Sequence, residues 1–474
     1  MRAKTDGRYS QLVSNTFLFA LGNFGSKFLV FLLLPLYTTA LTTGEYGISE
    51  ILLTATNLII PFVSVSIQDA TLRFGLDKHN NEGEVIKNTV VILIIGSFIS
   101  CFLIPLVRLY RPLADWSTFF VVITIVYMFR NAFSIFIKAI DKSKLFAIDS
   151  ILYTAVLMVL NILLLVVFPM GLRGYFLAII ISTVISIGFL STFGHILQSC
   201  RESKVNRELM RDMIRFSIPM IFNNVSWWII NSSDKMMIEY FMSAGDSGIY
   251  SVAAKMPSLI TAVTTVFNQA WLISSIKEYD TSRDSRFFTN TFSAFNALII
   301  LFSAVMILII KPFMQVYVGP SFVDSWQFVP LLLLGSIFQA YASFFGAIYT
   351  SAKKNVSVMM TTFLAAAVNI GLNIVLIQRI GIQGAVIATA VAYFIVFVFR
   401  IIDSQKYVRF TIDFKVVSTS VLILTVQCIS TIFEWHPYVV SCISIVALLL
   451  INYSTLCVLS KKSLLLIHSI RDSK

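Results

Sequence analysis

The sequence predicts an all-α integral membrane protein with fourteen transmembrane helices, and three observations lead there. Of its 474 residues, 57% are hydrophobic and only 13% charged, with a mean hydropathy of +0.84, well outside the range of soluble domains. The apolar runs are continuous and about 20 residues or longer, the length a bilayer-crossing helix needs. They lack the short alternating pattern of a membrane β-barrel. Finally, of 36 Lys and Arg residues only Lys27, Arg130 and Lys255 lie deep inside an apolar run.

Taken in order, the first helix is expected over Gln11–Tyr37. This run is too long for the core of a signal peptide and has no small-x-small cleavage site, so it reads as a span. Tyr46–Gln68, Ile86–Val107, Ser117–Lys138 and Phe146–Phe168 follow, each closed by a polar or charged connection. Leu172–Leu197 opens beside the glycine pair Gly171/Gly174, whose spacing suits a tight turn and close helix approach. The next three are Ile214–Tyr240, Ser247–Leu272, with Pro257 inside it as an expected kink, and Phe287–Ile310. Phe328–Thr350, Val356–Gln378 and Ile382–Arg400 come next, the last beside Gly381/Gly384, and Ile412–Phe433 and Pro437–Leu459 complete the set.

Charge placement orients these spans. With the N-terminus in the cytoplasm, inside segments hold 27 basic residues, and the outside segments hold six: Arg108, Arg111, Arg173, Lys235, Lys311 and Arg379. This bias predicts cytoplasmic N- and C-termini and an even number of spans. The net charge of +12 is therefore read as topology, with attraction to anionic lipid, and not as nucleic-acid binding. The five cysteines and four histidines are scattered without metal-ligand spacing. No Walker A sequence occurs.

The chain also repeats itself. LTTGEYGI at 41–48 matches MSAGDSGI at 242–249, pairing Gly44 with Gly245, Glu45 with Asp246 and Gly47 with Gly248. The same offset of 201 pairs Asn23 with Asn224 and Gln68 with Gln269. GLRGYFLA at 171–178 matches GIQGAVIA at 381–388, and Arg111-Pro112 matches Lys311-Pro312. Six helices separate the copies, so the halves share orientation, an arrangement that places a binding site between them near the midplane. The expected organisation is a six-helix lobe over 1–200, a basic cytoplasmic linker over 201–215, a second six-helix lobe over 212–410, and two further helices with a cytoplasmic tail over 411–474.

GEYGI, followed by Gln68 and Arg73-Phe74, together with FSIPMIFNNVSWWIINSSDKMMI at 216–238 and GIYSVAAKMP at 248–257, resembles the polysaccharide transporter family. That family includes the Wzx-type flippases and belongs to the superfamily of the MATE exporters. The resemblance implies two six-helix bundles around a central cavity. It also implies transfer of undecaprenyl-diphosphate-linked oligosaccharide from the inner to the outer leaflet of a bacterial cytoplasmic membrane. Cavity cations of relatives are held to bind the diphosphate; by motif this selects Lys255 and Asp234-Lys235. Besides the lipid-linked oligosaccharide and membrane lipids, a polysaccharide polymerase and a chain-length regulator are expected partners. Nucleic acid is not.

A mid-bilayer cation costs roughly 2.5–3.5 kcal/mol on insertion scales, so Lys27, Arg130 and Lys255 either line a wet cavity that receives an anion or are paired with acids. For Arg130 the acids considered are Asp69 and Glu50. Asn224, Trp228, Asn231 and Lys235 recur at i, i+4, i+7 and i+11, one helical face. Such a stripe either contacts sugar hydroxyls and rings or glues helices together. Glu50, Asp69 and Glu239 either couple transport to Na⁺ or H⁺ or serve as structural partners. Asp69 and Arg73 are expected to pair. No catalytic constellation and no cofactor beyond a coupling ion are expected. Within the superfamily the alternatives are a lipid II flippase and a MATE-type exporter of compact cations, the latter disfavoured by three central positive charges. From another class, a membrane polymerase would need a substantial catalytic loop.

Overall fold

The computed structural model describes residues 31–77, 79–281, 285–352 and 355–458, all helix, turn or loop with no strand among them. The helices are α1 (Phe31–Ala40), α2 (Thr43–Val63), α3 (Ile67–Gly75), α4 (Glu82–Cys101), α5 (Ile104–Arg108), α6 (Ser117–Ala139), α7 (Ser143–Asn161), α8 (Gly171–Phe193), α9 (Ile196–Glu202) and α10 (Arg207–Phe241). They continue with α11 (Ala244–Lys255), α12 (Ser258–Thr281), α13 (Ser285–Tyr317), α14 (Val329–Ser351), α15 (Asn355–Ile380), α16 (Ile382–Ser404), α17 (Phe414–Ile432) and α18 (Pro437–Ile451).

Among the described residues, ten helical segments are long and apolar enough to cross a membrane. The other expected spans differ for identifiable reasons. Residues before 31 lie outside the description, α10 is long but polar at 35 residues, and α18 has 15 residues. The expected Ser247–Leu272 helix is two helices, α11 and α12, parted at Met256-Pro257, because a prolyl nitrogen cannot donate to the helical ladder. The expected Tyr46–Gln68 helix is likewise interrupted. Val65 and Ser66 take left-handed backbone at φ 53° and 50°, and the Ser66 amide reaches back to the Pro61 carbonyl at 2.9 Å.

The repeated motif has a local meaning. Thr42 caps α2 in a reciprocal box, its Oγ1 accepting from the Glu45 amide at 3.2 Å while Glu45 Oε2 accepts from the Thr42 amide at 3.0 Å. Ser243 repeats the arrangement ahead of α11, its Oγ accepting from the Asp246 amide at 3.1 Å and donating to the Asp246 carboxylate at 2.5 Å. Glu45 and Asp246 therefore recur as N-terminal capping residues. Gly47 and Gly248 recur because a Cβ on the first would overlap the Ala244 carbonyl, and one on the second the Thr43 carbonyl. Their backbones are in contact.

Contacts group the chain into two compact units, Met1–Gly248 and Ile249–Lys474. In the first, α2 packs on α6 and α10, α6 and α7 pack on α8, and α3 lies on α6 and α10. Helix α10, read from the sequence as opening the second lobe, thus groups with the first unit. Its core holds Ile67, Val85, Leu93, Met128, Ala132 and Met213. Of the basic stretch 201–215 only Ser203–Asn206 is non-helical. Asn206 caps α10 and exchanges hydrogen bonds with Asn88 on α4, at 2.9 and 3.2 Å.

In the second unit α14 packs on α12 and α16, α15 packs on α16, and α17 and α18 pair with each other and with α13. Its centre is aromatic: Trp271 stacks on Phe344 at 4.3 Å and Phe267 on Phe295 at 4.4 Å. The Trp271 indole N–H donates to the Phe344 carbonyl at 3.0 Å, so the ring buries its area without stranding a polar atom.

Candidate functional site

The first unit collects most of the ionisable residues that the sequence places inside apolar helices. Helix α10 presents Asn224, Trp228 and Lys235 toward α2 and α3, as their spacing predicts. Lys235 Nζ meets Glu50 Oε2 at 2.5 Å, and the Tyr46 hydroxyl donates to the other Glu50 oxygen at 3.2 Å. Glu50 is 6% exposed. Two turns along α10, the Trp228 indole donates to the Thr54 carbonyl at 2.8 Å. One turn further, Asn224 Nδ2 donates to Asp69 Oδ2 at 3.1 Å and Ser66 Oγ at 3.2 Å. The left-handed turn at Val65–Ser66 is what delivers both acceptors, since it restarts the helix as α3 with a new direction.

Glu239, nearer the end of α10, accepts a short hydrogen bond from Tyr110. Asp234 is buried. The three acids considered for ion coupling therefore each hold a named partner: Glu50 has Lys235 and Tyr46, Asp69 has Asn224, and Glu239 has Tyr110. The expected Asp69–Arg73 pair does not form among the described residues: Asp69 bonds to Asn224 on α10, while Arg73, one turn along α3, is exposed. Lys27 and Asn23 lie outside the described residues, and so does the side chain of Asn231.

Arg130 sits at the meeting of three helices. Its Nη2 pairs with Asp149 Oδ2 on α7 at 3.3 Å, and its Nε donates to Ser186 Oγ on α8 at 2.9 Å. Ser186 in turn donates to Asp149 Oδ1 at 2.5 Å. The guanidinium lies 3.8 Å from the ring centroid of Tyr153, one turn beyond Asp149 on the same face. The acids considered from the sequence for Arg130 were Asp69 and Glu50; its partner is Asp149, which is 0% exposed. An acid three residues into the span expected over Phe146–Phe168 is the sequence signal for this pair. One nitrogen of the fork, Nη1, carries no hydrogen bond among the described residues.

The second unit holds a comparable device that the sequence reading assigned to a helix end. Arg400 on α16 is 7% exposed. Its Nη1 donates to the Ala342 carbonyl on α14 at 2.8 Å, and its Nε and Nη2 donate to Thr361 at 3.0 Å and Thr362 at 2.9 Å on α15. Gly346 leaves the space, since a Cβ there would stand 3.0 Å from Nη1. In each half one arginine ties three consecutive spans, from non-corresponding positions. A further buried polar chain runs from Asn373 Nδ2 to Asn369 Oδ1 and from Asn369 Nδ2 to Thr389 Oγ1, both 3.1 Å. Lys255 closes α11, partly buried, just before the Met256-Pro257 break.

Residues 12–273 match the family described as polysaccharide biosynthesis protein. The chain belongs to this family. No curated protein sequence matches it. Among solved structures, this polysaccharide biosynthesis protein is similar to the lipid II flippase MurJ in an inward closed conformation. That match has a TM-score of 0.67 at 12% identity and covers 94% of this chain and 100% of the other. It is similar to an inward-facing multidrug resistance MATE family transporter of the MOP superfamily, with TM-score 0.62, 13% identity, and 77% and 94% of the two chains covered. A MOP superfamily transporter from Pyrococcus furiosus, described as having a binding pocket of reverse polarity, matches with TM-score 0.52 at 12% identity over 83% and 92%. At these identities the likeness establishes the fold. The family member is an integral membrane protein with the MOP-superfamily fold.

The Glu50–Lys235 pair carries a prediction. Removing one partner of a buried ion pair strands the other and costs about 3–5 kcal/mol, whereas replacing both by apolar groups is often neutral. Glu50→Ala should therefore lower the melting temperature of the detergent-purified protein. Glu50→Ala combined with Lys235→Met should recover most of the loss. Equal melting of the single and double variants would show that the two side chains are not coupled.

Proposed function

We propose that this chain is a flippase that carries an undecaprenyl-diphosphate-linked oligosaccharide from the cytoplasmic to the outer leaflet of a bacterial cytoplasmic membrane by alternating access. The observation that carries this reading is membership of a polysaccharide biosynthesis family by a chain made of membrane-crossing apolar helices. Sugar polymers assembled outside a membrane need building blocks moved across it, and a helical membrane protein of this fold supplies the path. Lys27, Arg130 and Lys255 hold the diphosphate. Arg130 contributes through Nη1, because its Nε and Nη2 are occupied by Ser186 and Asp149. A planar guanidinium with one free edge suits a phosphate oxygen.

Sugar hydroxyls meet the α10 stripe of Asn224, Trp228, Asn231, Asp234 and Lys235. In the present conformation Asn224 and Trp228 donate to Asp69, Ser66 and Thr54, so they engage sugar when α10 moves off α2 and α3. Glu50, Asp69 and Glu239 are then the acids freed to take up H⁺ or Na⁺, which links the motion to an ion gradient. The polyprenyl tail stays in lipid. A polymerase and a chain-length regulator act on the product outside.

Losing one charge-assisted hydrogen bond of about 1.5–3 kcal/mol lowers a rate by about tenfold or more. Lys27→Ala, Lys255→Ala and Arg130→Lys, the last chosen to keep Asp149 paired, should each slow export by that factor while inserting normally. The readout is the lipid that accumulates when the chain is depleted. Undecaprenyl-diphosphate bearing a complete sugar unit supports the reading. Accumulated peptidoglycan precursor would move the cargo to lipid II, and wild-type export from all three variants would reject the site.

A further inference from the structure

The second unit contains a small polar pocket of about 110 Å³ that the transport reading does not use. It lies between α13, the first turn of α17 and the end of α18, and its polar lining is Ser293, Asn296, Asp413, Asn452, Ser454 and Thr455. Asn296 and Asn452 are each 1% exposed, and each spends half of its amide locally. Asn296 Oδ1 accepts from the Tyr341 hydroxyl at 2.5 Å, which leaves its NH₂ group. Asn452 Nδ2 donates to the Leu448 carbonyl at 2.9 Å, which leaves its Oδ1. Neither leftover group has a hydrogen-bond partner among the described residues, and both residues line the pocket, where the polar atoms of a ligand can complete their hydrogen bonds.

Asp413 stands at the mouth. Its Oδ1 caps α17 by accepting from the Lys415 and Val416 amides at 3.1 and 3.2 Å, and Oδ2 remains for a ligand. Among the described residues no Lys or Arg lines the pocket, and Asp413 is the one acidic side chain in that lining. The position is also telling. α17 has 19 residues, about 28 Å at 1.5 Å per residue, close to the roughly 30 Å of bilayer hydrocarbon. Its capped end therefore meets the headgroup layer, and the antiparallel α18 returns to the same level.

We propose that this pocket binds the ammonium headgroup of an aminophospholipid, with Asp413 Oδ2 and Asn452 Oδ1 accepting from the ammonium and Asn296 Nδ2 donating to a headgroup oxygen. A primary ammonium has three N–H donors for these acceptors; a trimethylammonium has none, and an anionic headgroup is repelled by the carboxylate. The site does not depend on the cargo assigned above, and its test does not read transport.

The full-length protein is reconstituted in nanodiscs of phosphatidylcholine, of phosphatidylcholine with phosphatidylethanolamine, and of phosphatidylcholine with phosphatidylglycerol, and its melting is followed by intrinsic fluorescence. Phosphatidylethanolamine alone should raise the midpoint by about 2–4 °C or more, the shift that corresponds to about 1 kcal/mol in a domain of 150–250 residues. Asp413→Asn keeps the capping oxygen and should abolish that increment without lowering the phosphatidylcholine midpoint. Asn452→Leu, which removes the inner acceptor, should abolish it too. Equal midpoints for the wild type in all three bilayers, or an increment that survives Asp413→Asn, would overturn the proposal. So would an equal shift from soluble glycerophosphoethanolamine or from sodium added to phosphatidylcholine discs, which would assign the pocket to a soluble amine or a hydrated cation.

Discussion

Asp149→Ala is expected to be among the most damaging single substitutions in the first unit, at a cost of about 3–5 kcal/mol. The carboxylate is 0% exposed and accepts from both Arg130 and Ser186. Its removal leaves a guanidinium among apolar spans with the Tyr153 ring and one hydroxyl for company. The expected result is a lower melting temperature and reduced accumulation in the membrane. Arg130→Met with Asp149→Leu should melt close to the wild type, because an apolar pair restores packing without a stranded charge. The same double variant should still fail in export if Arg130 meets the diphosphate, so stability and transport separate the two roles of one residue. A double variant that exports normally would leave Arg130 as a strut alone.

Gly47→Ala and Gly248→Ala are the second large expectation. The two glycines let the N-terminal turns of α2 and α11 touch through their backbones, and an added methyl at either overlaps a carbonyl of the opposite turn. Backbone cannot swing aside as a side chain can. Overpacking costs typically about 1–3 kcal/mol, and here the relief is separation of the turns. Cysteines placed at Thr43 and Ala244 should cross-link readily in the wild type and poorly in either alanine variant. Gly44→Ala is the control, because a Cβ there has no atom within 4 Å. Unchanged cross-linking in Gly47→Ala would mean that the turns part freely in the membrane.

Several features of this protein are legible in its sequence. The Gly-acid-x-Gly motifs at 44–47 and 245–248 were visible as a repeat, and their chemistry is local: a capping carboxylate three residues after a hydroxyl, then a glycine for close approach. The α10 stripe was legible too, because a 3.6-residue period puts Asn224, Trp228 and Lys235 on one side whatever they touch. Arg400 was misplaced because a cation near the end of an apolar run looks like a solvated boundary residue. Only the packing of α14 and α15 around it turns that position into an interior one.

Composition and hydropathy alone settle that the chain lives in a membrane as helices, since only helices and closed barrels satisfy their backbone in hydrocarbon and these apolar runs are continuous, without a barrel strand's alternation. Partnership is different. Helical periodicity states which side a residue occupies but not the rotation or depth of the neighbour it meets. Asp69 lies within helical reach of Arg73 yet bonds to Asn224, 155 positions away, and Arg130 takes Asp149 in preference to the acids first considered for it. Left-handed backbone at two residues, Val65 and Ser66, re-aims α3 and chooses the first of those partners. The packing of α6, α7 and α8 chooses the second.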